Sequence, residues 1–424
     1  MGYTFAPVTD FEKLLAHLEK LYGREKAPRQ MERYRGLVRG LEETFGKAER
    51  CALFSAPGRT EIGGNHTDHQ HGRVLAGSVD LDVIAAVKPS GGGSIRIQSE
   101  GFPMDVVDLS DLSVHEEERN RSVSILRGLA AWFSQRGCRV EGFDAYTTSN
   151  VLKGSGLSSS AAFEVLVANI INDLFCGSRF TPVELAQAGQ YAENVYFGKP
   201  SGLLDQMASS VGAMVTVDFK DNAAPVVERV DFDFAATGYA LCIIDSGADH
   251  ADLTDEYAAV TAELGEVCAC FGKKVLREVP EADFYARLPE VRAKVGDRAV
   301  LRAIHVYEDN LRVERQVEAL RSGDFLAFLA LVRDSGLSSW RFLQNVIPAG
   351  YTRHQEVALA LALAEKLLDG RGACRVHGGG FAGTIQAFVP FDLLERFRSE
   401  MDRVLGTGAC HVLSIRPVGG VRLA

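Results

Sequence analysis

The stretch that most constrains this chain runs from Gly154 to Cys176. It opens Gly154-Ser-Gly-Leu-Ser-Ser-Ser160 and continues Ala-Ala-Phe-Glu-Val-Leu-Val-Ala-Asn-Ile-Ile-Asn-Asp-Leu-Phe-Cys. Gly154 and Gly156 lack a Cβ, so the backbone can turn several N–H groups toward one point. Phe163, Leu166, Val167, Ile170, Ile171 and Leu174 recur at helical spacing, which predicts a helix from Ala161. A glycine loop entering a helix N-terminus presents unpaired N–H groups and the positive dipole end, a setting that favours an anion such as phosphate. The competing reading is a glycine turn before a core helix. The loop is neither G-x-x-x-x-G-K-[ST] nor G-x-G-x-x-G, and three successive serines are an odd choice for a plain turn.

A second stretch carries chemistry. Cys51 to Ala56 reads as a strand, and Pro57 to Gly72 as a loop rich in glycine and proline. That loop holds Arg59, Asp68 and three histidines, His66, His69 and His71. A metal site is disfavoured, because three neutral imidazoles on one loop need a shape this spacing does not show. Asn65, His66 and Asp68 together offer donors and acceptors, as a hydroxylated ligand such as a sugar requires. A solvated surface turn is the alternative.

With 424 residues, 46% hydrophobic and 24% charged, the chain has the make-up of an enzyme of two or three domains. A net charge of −10 without a Lys/Arg run argues against nucleic acid as a partner. The N-terminus lacks the apolar segment of a signal peptide, and no apolar run is expected to span a bilayer. The eight cysteines are scattered and are expected to be reduced and mostly buried, as in a cytoplasmic protein. A monomer or weak dimer is expected.

Helices are expected at Phe11–Tyr22, Met31–Phe45 and Ser122–Gln135, with strands at 74–87, 94–98 and 138–148. Thr181-Pro182-Val183-Glu184 is a capping box that opens a helix reaching Phe197, with Glu193 near its end. Gly198 to Gly202 then leads into a helix that starts near Asp205. Taken alone, Asp205 reads as an N-terminal acid held by the dipole. The polar stretch 220–228 is the expected domain junction. Beyond it come a buried strand at 239–246, helices at 251–270, 311–321, 324–334 and 354–368, and a third glycine cluster, Gly378 to Gly383. A strand at 384–389, a helix at 393–404 and a last strand near 411–415 follow. Strand–helix alternation in both halves points to a mixed α/β or α+β build.

Three motifs thus stand in order: Pro57-Gly-Arg…His66-Thr-Asp68, Gly154 to Ser160, and Gly378-Gly-Gly-Phe-Ala-Gly383. Together they resemble the sugar and mevalonate kinases of the galactokinase, homoserine kinase, mevalonate kinase and phosphomevalonate kinase (GHMP) superfamily, over roughly residues 32 to 420. The first is similar to the galactokinase signature G-R-x-N-L-I-G-E-H-T-D-Y. The resemblance implies an α+β, two-domain fold with the active site between a ribosomal S5 domain 2-like N-terminal domain and a ferredoxin-like C-terminal domain. The expected boundaries are a leader over 1–30, a first domain over 31–224 and a second over 225–424.

By position, the resemblance implies ATP phosphates on Gly154, Ser155, Gly156, Leu157, Ser158, Ser159 and Ser160, and Mg²⁺ on Ser160 and Glu193. It implies Asp205 as catalytic base and Arg59 as the arginine that stabilises the transition state. Asn65, His66, Thr67, Asp68, Gly202 and Tyr257 match sugar contacts, and the third glycine cluster matches a loop shaping the cleft near the nucleotide. The implied activity is ATP- and Mg²⁺-dependent phosphorylation of galactose at its anomeric hydroxyl. Asn65 stands where the signature has Glu, and Glu61 where it has Asn. The alternatives are therefore a related sugar, N-acetylgalactosamine or arabinose, and a catalytically silent sugar and ATP sensor.

Overall fold

The computed structural model describes residues 6–7, 11–48, 50–152, 156–199, 201–248 and 253–424. From the N-terminus, β1 (Ala6–Pro7), α1 (Phe11–Tyr22) and α2 (Ala27–Phe45) lead into β2 (Arg50–Gly63), β3 (Arg73–Pro89), β4 (Ser94–Ser99) and β5 (Asp105–Asp108). Then come α3 (Ser122–Gln135), β6 (Phe143–Ser149), α4 (Ser159–Cys176), α5 (Pro182–Tyr191), α6 (Leu204–Val211), β7 (Met214–Asp218) and β8 (Val226–Val230). The remainder is β9 (Tyr239–Ala248), α7 (Thr254–Ala269), α8 (Glu281–Ala286), α9 (Leu288–Val295), α10 (Asp297–Arg321), α11 (Phe325–Ser338), α12 (Glu356–Leu368), β10 (Ala373–Val376), β11 (Gly383–Pro390), α13 (Phe391–Leu405), β12 (Cys410–Leu413) and β13 (Val421–Arg422).

Nine strands make one sheet, in the order β1-β2-β3-β6-β4-β5, with β13 on β2 and the β7–β8 hairpin on β3. The long β3 serves two neighbours on one edge: its last residues pair with β6 and its first with β7. Four antiparallel strands, β10-β11-β9-β12, make the second sheet. The stretch 220–228, expected as a junction, is instead the turn and first residues of the β7–β8 hairpin, and β13 also returns to the large sheet. Register pairing of β8 with β7 overrides the polar, proline-bearing look of that stretch.

Several local differences have physical causes. Helix α2 starts ahead of Met31 because Pro28 sits in its first turn, where a missing N–H costs nothing. Strand β2 continues through Pro57-Gly58-Arg59 to Gly63, where a loop was expected. Two register shifts against β3, at Pro57/Arg59 and Glu61/Gly63, absorb the proline and glycine and bend the strand. Helix α10 begins at Asp297, well before the expected Leu311, because buried Arg302, His305 and Asp309 break its apolar period.

Helix α4 is, against expectation, long and apolar enough by composition to cross a membrane, but Val165, Leu166, Ile170 and Ile171 are fully buried in the main core. Cys138 and Cys176, at the ends of neighbouring helices, are joined in a disulfide with Cα atoms 5.5 Å apart, which corrects the expectation of reduced thiols at that pair. The leader packs as part of the body. Leu14, Leu18, Tyr34 and Leu37 share a core with Leu53, Ile84 and the C-terminal Leu423. Buried Asp82 ties them by polar contacts, to Arg33 of α2 at 2.8 Å and to Arg416 at 3.0 Å.

Candidate active site

The bent end of β2 brings Arg59 to the first turn of α6. Arg59 Nε donates to Asp205 Oδ1 at 2.7 Å, and its Nη2 lies 2.6 Å from the same oxygen. Arg59 Nη1 donates to the carbonyl of Gly156, and the Arg59 amide donates to the carbonyl of Leu157 at 3.0 Å. Ser158 Oγ donates to Asp205 Oδ2 at 2.6 Å. Ser158 has φ 56°, an uncommon left-handed conformation for a residue with a Cβ, and it precedes the first residue of α4. Three distant segments, around 59, 158 and 205, therefore meet at one carboxylate. Burial alone pushes the Asp205 carboxyl upward, but Arg59, the Ser158 hydroxyl and Lys199 outweigh it and hold the group below the usual carboxylate range.

Asp68 stands beside this pair. A Cβ on Gly202 would lie 2.0 Å from Asp68 Oδ2, so only glycine lets the 202 backbone approach it. Burial, then the Asp205 charge, raises the Asp68 carboxyl above its ordinary value, against the backbone N–H of His69, His66 and Arg59, which lower it. His66 Nε2 sits 2.9 Å from the Gly379 carbonyl and therefore carries the proton there. Its Nδ1 then accepts from His69 Nε2 at 3.3 Å, while burial and His66 pull His69 down to about 3.

Two expected sugar contacts do not face open space. Asn65 and Thr67 are both 0% exposed. The Thr67 hydroxyl lies 2.8 Å and 2.6 Å from the carbonyls of Gly64 and Arg73 and holds the loop's own turn. Asn65 Nδ2 donates to Glu61 Oε1 at 2.9 Å and to the Gly378 carbonyl at 2.6 Å. Asn65 Oδ1 accepts from Ser339 at 3.2 Å and Asn345 at 2.8 Å. The amide has no hydrogen-bonding capacity left for a ligand. It fastens the loop to the second half of the chain, as does buried Arg375, which is 2.8 Å from Glu61.

The third glycine cluster packs on this same loop. Tyr257 Oη donates to the Gly380 carbonyl at 2.7 Å, and its ring occupies the place of a Gly379 Cβ. Burial lifts the Tyr257 phenol to about 12. His377 reaches Thr60 Oγ1 at 3.1 Å and lies against Gly156. The cluster thus touches the first motif through Gly378 and Gly379, and the flanking His377 touches the second at Gly156.

Glu193 lies in a π-helical turn, Ala192–Phe197, that continues α5. Its Oε2 accepts from Ser201 Oγ at 2.6 Å and from Gln206 Nε2 at 2.9 Å. Gln206 Nε2 also donates to Glu164 Oε2 at 2.9 Å. Burial, then Glu193, raises the Glu164 carboxyl to about 8. Sequence reasoning missed Glu164 and Gln206, although an acid on the apolar face of α4 was a visible signal. Ser159, Ser160, Phe163, Glu164 and Glu193 line a cavity of about 480 Å³ together with Thr147 to Ser149 and Phe102. Ser160 is exposed to it, whereas the Leu157 side chain is in the core. Gly154 and Ser155 lie outside the described residues.

Comparison with known proteins accords with this geometry. The galactokinase galactose-binding signature matches residues 41–89, and the GHMP kinases N terminal domain matches residues 124–213. Galactokinase of Streptomyces coelicolor is 31% identical over 388 residues, covering 90% of this chain and 96% of that protein. The chain belongs to the galactokinase family. Galactokinase of Thermotoga neapolitana is 30% identical, covering 82% of this chain and 91% of that protein. The fold is that of the GHMP kinases: the crystal structure of Lactococcus lactis galactokinase complexed with galactose superposes with a TM-score of 0.77 at 24% identity, covering 92% of this chain and 99% of that one. L. major mevalonate kinase superposes with a TM-score of 0.56 at 14% identity, covering 86% of this chain and 96% of that one. The signature match includes Arg59, His66 and Asp68, and the domain match includes Ser158 to Ser160, Glu193 and Asp205.

Proposed function

We propose that this chain transfers the γ-phosphoryl group of ATP to the anomeric hydroxyl of galactose. The observation that carries the reading is the Arg59–Asp205 pair, capped by Ser158 from the glycine loop and flanked by Asp68 and Gly202. Family membership supports the sugar, and the named relatives are galactokinases.

Asp205 orients the attacking hydroxyl and takes its proton. A carboxylate held below its usual range is a weak base, so it removes the proton late, as a loose phosphoryl-transfer transition state permits. Arg59 neutralises charge as it builds on the transferring group. Asp68 accepts from a sugar hydroxyl next to it, and Gly202 leaves room for the ring. Asn65, Thr67 and Tyr257 act by holding the walls of the sugar pocket in place. The cavity beside Ser159 and Ser160 suits a purine, with the phosphates reaching the α4 N-terminus at Ser158 to Ser160.

The donor set fits Mg²⁺: the Ser160 hydroxyl and the Glu193 carboxylate are hard oxygen donors lining the same cavity and would hold the ion. One carboxylate and one hydroxyl suffice where phosphates and water complete the shell. When bound, the ion offsets charge on the β- and γ-phosphates. Glu164 beside it keeps its proton in the metal-free protein, since burial and Glu193 raise its carboxyl to about 8.

A coupled assay of ATP consumption with galactose, N-acetylgalactosamine and arabinose tests the proposal. Galactose is expected to be turned over with the highest kcat/KM and to yield the 1-phosphate. Faster turnover of another sugar, or binding without turnover of any, overturns it.

A further inference from the structure

Lys199 lies directly before the stretch that carries Ser201 and Gly202. The amides of Gly198 and Lys199 both donate to the Glu193 carbonyl, at 3.0 Å and 3.2 Å. This roots the Lys199 side chain beside Glu193. Lys199 Nζ donates to Glu193 Oε1 at 3.1 Å. The other carboxylate oxygen already receives Ser201 and Gln206. Oε1 is therefore the oxygen a divalent ion can take, and Lys199 occupies it. The ammonium cannot share that oxygen with a cation without like-charge repulsion. Its side chain is 59% exposed, so it can swing away.

In its place on Glu193 the ammonium also feels the charges of Asp205 and Glu164. Its partner Glu193 lines the cavity beside Ser159 and Ser160, and on the kinase reading the anion arriving there is the triphosphate. From this geometry we infer that Lys199 is a phosphate-binding residue that holds the metal carboxylate in the free enzyme and exchanges it for a phosphate oxygen when metal and nucleotide bind. Its stem is long and flexible and its head a compact point charge, which suits such an exchange. The inference rests on the kinase reading above and deepens it by coupling metal entry to nucleotide contact.

Lys199→Met and Lys199→Arg test it, read by binding rather than turnover alone. Mn²⁺ binding to the nucleotide-free protein is followed by electron paramagnetic resonance, and binding of a non-hydrolysable ATP analogue with Mg²⁺ by calorimetry. In Lys199→Met, Mn²⁺ binds several-fold more tightly without nucleotide, while the analogue binds about tenfold more weakly, the loss expected for one partly exposed charge contact. Lys199→Arg restores most of the analogue affinity. Unchanged Mn²⁺ affinity in Lys199→Met, or unchanged analogue affinity, overturns the inference. Wild-type protein that binds the analogue but phosphorylates no sugar overturns the kinase reading instead, so the two failures are distinct.

Discussion

Glu61 and Asn65 face each other inside the molecule, with Asn65 Nδ2 2.9 Å from Glu61 Oε1, and Arg375 closes the carboxylate from the other side at 2.8 Å. The galactokinase signature has Asn at the first position and Glu at the second. Here the two residue types are exchanged between neighbouring positions of one network. Asn65→Glu alone therefore sets two carboxylates against each other in a buried site. A loss of about 3–5 kcal/mol in urea unfolding is expected, with a matching fall in kcat/KM. The double variant Glu61→Asn/Asn65→Glu is expected to recover much of both, since Arg375 regains a carboxylate nearby. A double-mutant cycle with no coupling between the two positions contradicts this account.

The pH response follows from Asp205. Its carboxyl is held below the usual range, because Arg59, Ser158 and Lys199 together outweigh burial. The ionised form is thus present throughout the neutral range, so the acid limb that Asp205 contributes to kcat/KM lies below ordinary carboxylate values, and a limb above them belongs to Asp68, whose carboxyl is raised. The Asp205 shift contributes stability that is present above the unfolded-state value and lost as pH falls through the folded one. Arg59→Met removes the main opposing charge and moves the acid limb upward by about one pH unit or more. It also lowers kcat by roughly 10²–10³. An acid limb that stays in place in the variant argues against Asp205 as the titrating group.

Gly202→Ala tests the sugar side of the site. The added Cβ would lie 2.0 Å from Asp68 Oδ2, so that carboxylate must move. The expected result is a KM for sugar raised about tenfold to a hundredfold, with the KM for ATP nearly unchanged. Equal effects on both substrates would place Gly202 elsewhere in the mechanism.

Glu164 makes a separate prediction about stability. Burial and the Glu193 charge lift its carboxyl from 4.5 to about 8. The folded chain then holds a proton that the unfolded chain releases, so stability without metal declines as pH rises through that window. Glu164→Gln removes the ionisation. Its urea midpoint should exceed that of the wild type at pH 8.5 and vary less between pH 6 and 8.5. A midpoint lower than wild type at both pH values would mean that the carboxylate is ionised and paired.

The amino-acid sequence by itself determined the local devices. The helix after Ser158, the capping box at Thr181 and the alternation of strands and helices are readable because propensity and period act over a few residues. Arg59, Asp205 and the serine loop could be proposed as one site only through the family resemblance that the three ordered motifs carry, since Asp205 read alone is a plain N-terminal acid. Tertiary structure decided which way the side chains turn. Asn65 and Thr67 look like ligand contacts in the sequence, yet both are buried, because Glu61, Gly378, Ser339 and Asn345 arrive from distant positions to satisfy them. The Cys138–Cys176 disulfide, the Glu164–Gln206–Glu193 cluster and the hold of Lys199 on the Glu193 carboxylate likewise depend on where packed elements meet. A buried polar group must find its partner wherever the fold provides one, and no period along the chain records where that is.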